Sequence, residues 1–292
     1  MKTTHFIELL ALAAIWGASF LFMRIGSPEL GPFLFTLLRT GIAALFLIAC
    51  IKIAKKRYHL KGYKFKIFCV GVMNTAIPFV LFSYATLTLT AGTTSVLNAT
   101  VPMFGALVAY VWLKDKLSMS ASIGLIFGFL GVYLLMADQV SVNEEALIPA
   151  LAAVGAAACY GIAASMTKKY LSGLSPLLLA TGSQASATIA LLPLGLMFIP
   201  DEMPSTEAIS SVLAIGIICT GIAYIMFFRL IDALGPAKTI SVTYLIPFFG
   251  IFWGFVFLDE QITSKMIATS LITLFGVALT TGIFDRLSFK KK

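Results

Sequence analysis

Charge is scarce in this chain. Only 12% of its 292 residues are charged, against about 25% in soluble domains. No polar segment is long enough to form a separate aqueous domain, and the longest polar break runs from Lys55 to Lys64. There is no Walker loop, no glycine-rich phosphate cradle and no zinc-ligand spacing, so nothing in the sequence points to ATP-driven work or metal catalysis. His5 and His59 have no partner at ligand spacing. Cys50, Cys69, Cys159 and Cys219 all fall inside apolar runs and read as small apolar fillers, without a disulfide or a metal site. No catalytic residue, metal or cofactor is expected. The competing class, an intramembrane enzyme acting on a lipid-linked substrate, would need Asp, Glu or His clustered at one membrane face. No such cluster, and no pair of intramembrane carboxylates, is visible.

What is plentiful is apolar length. Hydrophobic residues make up 59% of the chain, and mean hydropathy is +0.98. Ten apolar runs are predicted to cross a membrane: 6–25, 33–53, 66–88, 93–113, 119–137, 147–167, 175–199, 208–231, 238–258 and 265–284. Each is near the ~20 residues that a helix needs to span a bilayer core. Their continuity excludes barrel strands, which alternate, and a helix satisfies its own backbone in lipid. The run from Phe6 to about Ile25 is too long for a signal-peptide core and lacks a small-residue cleavage site before Pro28, so it is read as the first span. The expected fold class is an all-α integral membrane protein of ten transmembrane helices.

Loop charges set an orientation. With the N-terminus inside, every lysine and arginine outside the spans except Lys265 lies on the inner side, while Arg24, Arg39 and Arg229 fall within spans. Acidic residues lean outward: Glu29, Asp138, Glu144, Glu145, Asp201, Glu202, Glu207, Asp259 and Glu260. Both termini are therefore expected in the cytoplasm, across a cell (inner or plasma) membrane. The net charge of +8 then reflects inner loops facing anionic lipid. The partners expected are membrane lipid and a small-molecule substrate, with no nucleic acid; monomer and homodimer both remain open.

Much of the chain is written twice. Ala91 to Leu117 reads AGTTSVLNATVPMFGALVAYVWLKDKL, and Pro236 to Ile262, 145 residues on, reads PAKTISVTYLIPFFGIFWGFVFLDEQI. Thr94 answers Thr239, Pro102 answers Pro247, Gly105 answers Gly250 and Asp115 answers Glu260. At an offset of 144, Trp16-Gly17 answers Tyr160-Gly161 and Pro32 answers Pro176. Two five-span repeats are expected, residues 1–140 and 141–292. An odd span number makes the second enter the membrane from the opposite side. Inverted repeats are the ground plan of transporters that alternate access around a midplane site.

The same residues carry a resemblance. Trp16-Gly17-Ala18-Ser19-Phe20 ends the first span, Pro32 opens the second, and Arg39 closes Phe35-Thr36-Leu37-Leu38-Arg39. Tyr84-Ala85-Thr86 precedes a short turn to Ala91, and the fourth span carries Pro102 and then Asp115, where the family usually has glutamate. Pro236-Ala237, Pro247 and Glu260 repeat the pattern, and Gly124, Gly128 and Gly131 in the fifth span are echoed by Gly276 and Gly282. In this the chain resembles the drug/metabolite transporter superfamily, and within it the EamA-like branch. The resemblance implies ten helices around a central cavity lined by spans 1, 3, 4, 6, 8 and 9. It also implies export or exchange of small metabolites or drugs, amino acids and related compounds among them.

Candidate substrate-binding residues are polar groups in apolar spans. Thr94, Asn98 and Pro102 stand four apart and share a helix face, and Thr239, Thr243 and Pro247 make the matching face. One reading makes these cavity-facing stripes whose prolines free carbonyls for solute or water. The other makes them helix–helix hydrogen bonds, worth ~0.6–2 kcal/mol each, and packing kinks. Trp16 and Ser19 in the first span, Asn74 in the third, Tyr160 in the sixth, Tyr224 in the eighth and Tyr244 in the ninth complete the set. Aromatic rings with polar tips suit a partly apolar solute, and they equally suit core or an interfacial belt. With few charges in the spans, a neutral or zwitterionic solute fits best.

Intramembrane charges are costly, so each needs its own reason. Glu8, early in the first span, is the coupling candidate; it also suits an interface or a pairing with a cytoplasmic lysine. Arg24 is expected to snorkel or pair with Glu29, Arg229 to pair with Asp232, and Arg39 to pair structurally or cap a carbonyl. Asp115, Asp259 and Glu260 are expected to cap the helices after them; a gate role is the alternative, with nothing in the sequence to support it. The glycines at Gly124, Gly128 and Gly131 suit a seam within the chain or a dimer contact.

Overall fold

The computed structural model of the chain describes residues 3–55 and 62–282. The inner-side charges Lys2, Lys56, Arg57, Lys61, Arg286, Lys290, Lys291 and Lys292, and His59, lie outside these residues. Among the described residues no strand occurs, and every regular element is helical. Seven helices are long and apolar enough to cross a membrane: α1 (Thr3–Ile53), α2 (Lys64–Ala85), α3 (Ala91–Leu113), α4 (Met119–Val142), α5 (Glu144–Tyr170), α6 (Pro176–Met197) and α7 (Thr206–Leu234). Two shorter apolar helices close the chain, α8 (Ile246–Leu258) and α9 (Ser264–Thr280). A turn of helix at Pro236–Thr239 and a 3-10 segment at Ile240–Tyr244 lead into α8.

The first two expected spans are the two arms of α1. Helix runs on through Pro28 and breaks only at Gly31, whose φ of 69° and ψ of 155° are not helical. A residue without Cβ takes that conformation at little cost, and Pro32 also turns its predecessor away from the α region. Elsewhere helices start on side-chain caps: Thr90, Ser118, Ser205 and Thr263 each accept a hydrogen bond from the backbone N–H three residues on. That satisfies N–H groups that have no partner within the helix. Ser118 and Thr263 are thus the caps of α4 and α9. The expectation that Asp115 and Glu260 would cap them fails, because a hydroxyl one residue before the helix reaches the free amide first.

The sequence repeat is also a repeat of local structure. Wide π turns occur at Val72–Ala76 in α2 and Ile217–Ile222 in α7. α3 is interrupted after Asn98 and resumes at Val101, and α8 starts at Ile246 after the break at Tyr244. α3 and α8 both end on a left-handed residue, Lys114 (φ 60°) and Asp259 (φ 53°). Behind each, Asp115 N–H reaches Ala109 O and Glu260 N–H reaches Gly254 O, both at 3.2 Å.

Small residues bring the helices together, as expected where lipid supplies no hydrophobic drive between them. A Cβ on Gly17 in α1 would come within 2.9 Å of Gly250 N in α8, and one on Gly161 in α5 within 2.7 Å of Gly105 N in α3. α4 and α9 pack along their length, and a Cβ on Gly131 would meet Thr273 N at 2.6 Å. The Gly124, Gly128 and Gly131 seam is therefore internal to the chain. The outside is apolar: Leu45, Ile126, Tyr133 and Leu271 are 71, 69, 68 and 63% exposed, a surface that suits lipid rather than water.

Candidate functional site

A cavity of about 710 Å³ lies among α1, α2, α3, α5, α7 and the 3-10 segment, and reaches Thr280 and Thr281 at the end of α9. Both π turns deliver residues to it, Asn74 from α2 and Cys219 with Thr220 from α7. A π turn adds a residue to the helix and re-aims the side chains beside it. One wall is aromatic. Phe20 meets Phe82 edge-on at 5.8 Å, and Tyr160 lies 6.2 Å from Phe82 and 6.5 Å from Phe79. Trp16 leans on Phe227 at 5.1 Å. The Tyr244 hydroxyl and Thr281 Oγ1 share a hydrogen bond. No Asp, Glu, His or Lys is among the described lining residues, and no group of three or more His, Cys, Asp or Glu among the described residues could hold a metal ion.

Of the residues singled out in the sequence, Trp16, Ser19, Asn74, Asn98, Pro102, Tyr160, Tyr224, Thr243 and Tyr244 line this cavity together. Thr94, Thr239 and Pro247 do not. Thr94 and Thr239 are fully buried, and their hydroxyls donate to Thr90 O at 2.9 Å and Gly235 O at 3.0 Å, a turn back on their own helices. Pro247 is buried, and its carbonyl accepts from Ser95 Oγ at 3.5 Å. The reason is geometric. Thr94 and Asn98 share the unbroken helix Ala91–Asn98, but Thr94 lies a turn earlier, in its fully buried part Ala91–Leu97. Thr239 ends the helical turn just before the 3-10 segment Ile240–Tyr244 that carries Thr243, and Pro247 follows the break after it.

Arg39, expected to pair structurally or cap a carbonyl, is also a lining residue. It is 5% exposed and sits in the cavity wall. Its Nε donates to Thr220 Oγ1 at 3.2 Å, one Nη lies 3.8 Å from Met23 Sδ, and the guanidinium carbon is 3.6 Å above the centre of the Phe79 ring. It caps no carbonyl and pairs with no carboxylate among the described residues. An intramembrane charge was the available signal. The second span is outside the helices that the resemblance implies around the cavity, yet Arg39 reaches the wall from the second arm of α1. Cys219, Thr220, Thr280 and Thr281 carried no signal in the sequence.

The other charges also pair differently from expectation. Glu8 pairs with Arg229 at 2.9 Å and lies 3.7 Å from His5, so Arg229 is taken by the first helix instead of by Asp232. Arg24 donates to Thr86 O at 2.6 Å and Leu87 O at 2.7 Å. Glu29 accepts instead from Ser205 N and Oγ, at 2.6 and 2.7 Å, and these donors hold its carboxyl below the usual range.

The two acids that answer each other in the repeat, Glu260 and Asp115, are held differently, and neither is among the residues lining the cavity. Glu260 accepts from Ala91 N at 2.7 Å and Gly92 N at 3.3 Å. A carboxylate there meets the free amides and positive end of α3. Burial nevertheless pushes the Glu260 carboxyl above its ordinary value, and the two amides offset this only in part. Behind this clamp all of Ala91–Leu97 is buried. Its counterpart Asp115 pairs with Lys168 at 2.8 Å, with both side chains at least half exposed. Ile240 and Ser241 are exposed and line the cavity, whereas their counterparts Ser95 and Val96 are fully buried.

A polar and aromatic cavity walled by helices from both halves of an apolar helical bundle suits a solute transporter. Residues 6–137 and 147–282 each match the EamA-like transporter family, to which the chain therefore belongs. It is 26% identical over 290 residues to the uncharacterized transporter YoaV of Bacillus subtilis (strain 168), covering 96% of this chain and 97% of that protein. It is 23% identical to a probable terminal-alkyne amino-acid exporter of Streptantibioticus cattleyicolor, over 96% of this chain and 94% of that one. A solved crystal structure matches it with a TM-score of 0.67 at 17% identity, covering 98% of this chain and 99% of that one; this likeness shows the fold.

Proposed function

We propose that the chain is a secondary or facilitative exporter of small organic solutes, amino acids or related metabolites, working by alternating access. The arms of α1, α2 to α7, the segment from Pro236 through α8, and α9 make ten crossings, as two inverted five-helix repeats. Both termini lie in the cytoplasm, in keeping with the bias of loop lysines and arginines to one side. The observation that carries this reading is the inequality of two sequence-related ends. Glu260 binds the buried start of α3 while Asp115 is held by Lys168 in a more exposed pair; on this reading the Glu260 side is the closed, outer side and the Asp115 side the open, inner one. A repeat with two such ends has two equivalent ways to close, and exchanging them carries a solute across. The similarity to an amino-acid exporter supports the substrate class, as does a cavity without acidic or multiple basic groups.

Export from cells overproducing the chain, across a panel of amino acids and related metabolites, tests this. Release of at least one compound should rise, and Trp16→Ala and Asn98→Ala should lower it about tenfold. No change in export across the panel would count against transport. If a compound is bound and chemically converted, the chain is an enzyme.

A further inference from the structure

We infer that Arg39 is the seat of a carboxylate, and that the solute carries one carboxylate on a largely apolar body. This rests on the transport reading above, since it assigns the chemistry of the same cavity. A guanidinium buried in a membrane protein is costly unless paired, hydrogen-bonded or solvated. Arg39 is 5% exposed, and no carboxylate pairs with it among the described residues. A guanidinium has five N–H donors in a fixed fork. Thr220 takes the Nε–H at 3.2 Å, and a thioether sulfur, a weak acceptor, lies 3.8 Å from one Nη. Phe79 lies against one face of the group at 3.6 Å, fixing its plane. The remaining N–H groups have no acceptor of comparable strength among the described residues, and the side chain borders the cavity. A carboxylate accepts two parallel bonds from such a fork.

The charge count favours a single negative charge. Arg39 is the one Lys, Arg or His among the described lining residues, so a phosphate dianion would be left half neutralised. Beyond Arg39 the walls are Trp16, Phe82, Tyr160 and Tyr224, which suit an apolar or aromatic body. An ammonium on that body would meet ring faces and the amide oxygens of Asn74 and Asn98 instead of a fixed anion.

The test compares acids with their own amides on purified full-length protein. The probes are L-leucine, L-phenylalanine, 3-phenylpropanoate and 4-methylpentanoate, each beside its primary amide, with inorganic phosphate as a separate arm. Binding is read by thermal shift and titration. At least one acid should bind about tenfold or more tightly than its amide, and phosphate should bind more weakly than that acid. Arg39→Gln should remove the preference, and Arg39→Lys should keep only part of it because a point charge cannot make the bidentate pair. The inference is overturned if acid and amide bind alike throughout, if no acid binds, if phosphate binds best, or if Arg39→Gln leaves the preference intact. Should Arg39→Gln not fold, the wild-type and Arg39→Lys comparisons decide. Uptake of the same probes into proteoliposomes separates the two claims. Acids that bind at Arg39 but are never carried would remove transport and leave the site. Acids and amides carried equally would remove the site and leave transport.

Discussion

At the scale of single residues, Glu260 is where pH should act. Burial raises its carboxyl in the clamped form, so that form holds a proton more tightly than a solvated carboxyl would. The advantage of closure is then full below the ordinary value of 4.5 and is lost as pH rises through the raised value. Glu260→Gln keeps an acceptor without a charge to bury, so closure should persist and its pH dependence should vanish. Glu260→Ala leaves the Ala91 and Gly92 amides free, which should cost closure about 1–3 kcal/mol. A cysteine replacing the buried Thr93, reacted with a water-soluble maleimide between about pH 4 and 8, reports both effects. Equal labelling in all three backgrounds would dismiss the clamp. Glu8 is tied to Arg229 at 2.9 Å, so Glu8→Gln should leave any response of liposomal transport to a pH gradient unchanged. Residue identities on the cavity wall were readable where a polar or aromatic side chain stood out in an apolar run, as for Trp16, Asn98 and Tyr224. What could not be read was partnership. Nothing local says that Glu260 reaches back to Ala91, or that Arg39 pairs with no acid among the described residues.

At the scale of elements, glycine decides how closely helices approach, and the two members of a contact are not equivalent. A Cβ on Gly161 would run into Gly105 N at 2.7 Å, whereas one on Gly105 meets nothing within 4 Å. Gly161→Ala should therefore destabilise by ~1–3 kcal/mol, while Gly105→Ala should be close to neutral. Thermal unfolding in detergent compares them, and equal losses would contradict the packing described. Helix positions were largely legible because lipid demands long apolar runs. The breaks inside them were not. The π turns at Val72–Ala76 and Ile217–Ile222 have no strong sequence signature, and they set which residues face the cavity. The change from helix at Pro236–Thr239 to the 3-10 segment Ile240–Tyr244 likewise separates Thr239 from the stripe to which spacing alone had assigned it. Gly31 shows the opposite case, a break narrowed by one glycine to a single residue.

At the scale of the whole molecule, the repeat visible in the sequence returns as paired turns, paired left-handed ends and paired glycine contacts. What the sequence could not show is that the two copies differ in detail: Glu260 binds the amides of Ala91 and Gly92, while its counterpart Asp115 pairs with Lys168. Those contacts also cross between copies. The first arm of α1 belongs against α8: Gly17 lies beside Gly250, and Trp253 Nε1 donates to Ala14 O at 2.9 Å. Ribosomes add about 5–20 residues per second, so the arm waits on the order of ten seconds or more in the bilayer before its partner exists. During that wait a face made for another helix stands open to lipid. Residues 1–140 made alone should never leave that condition, and should be cleared by membrane proteases. Supplying residues 141–292 as a second chain should rescue them, with accumulation of each fragment on immunoblots depending on the other.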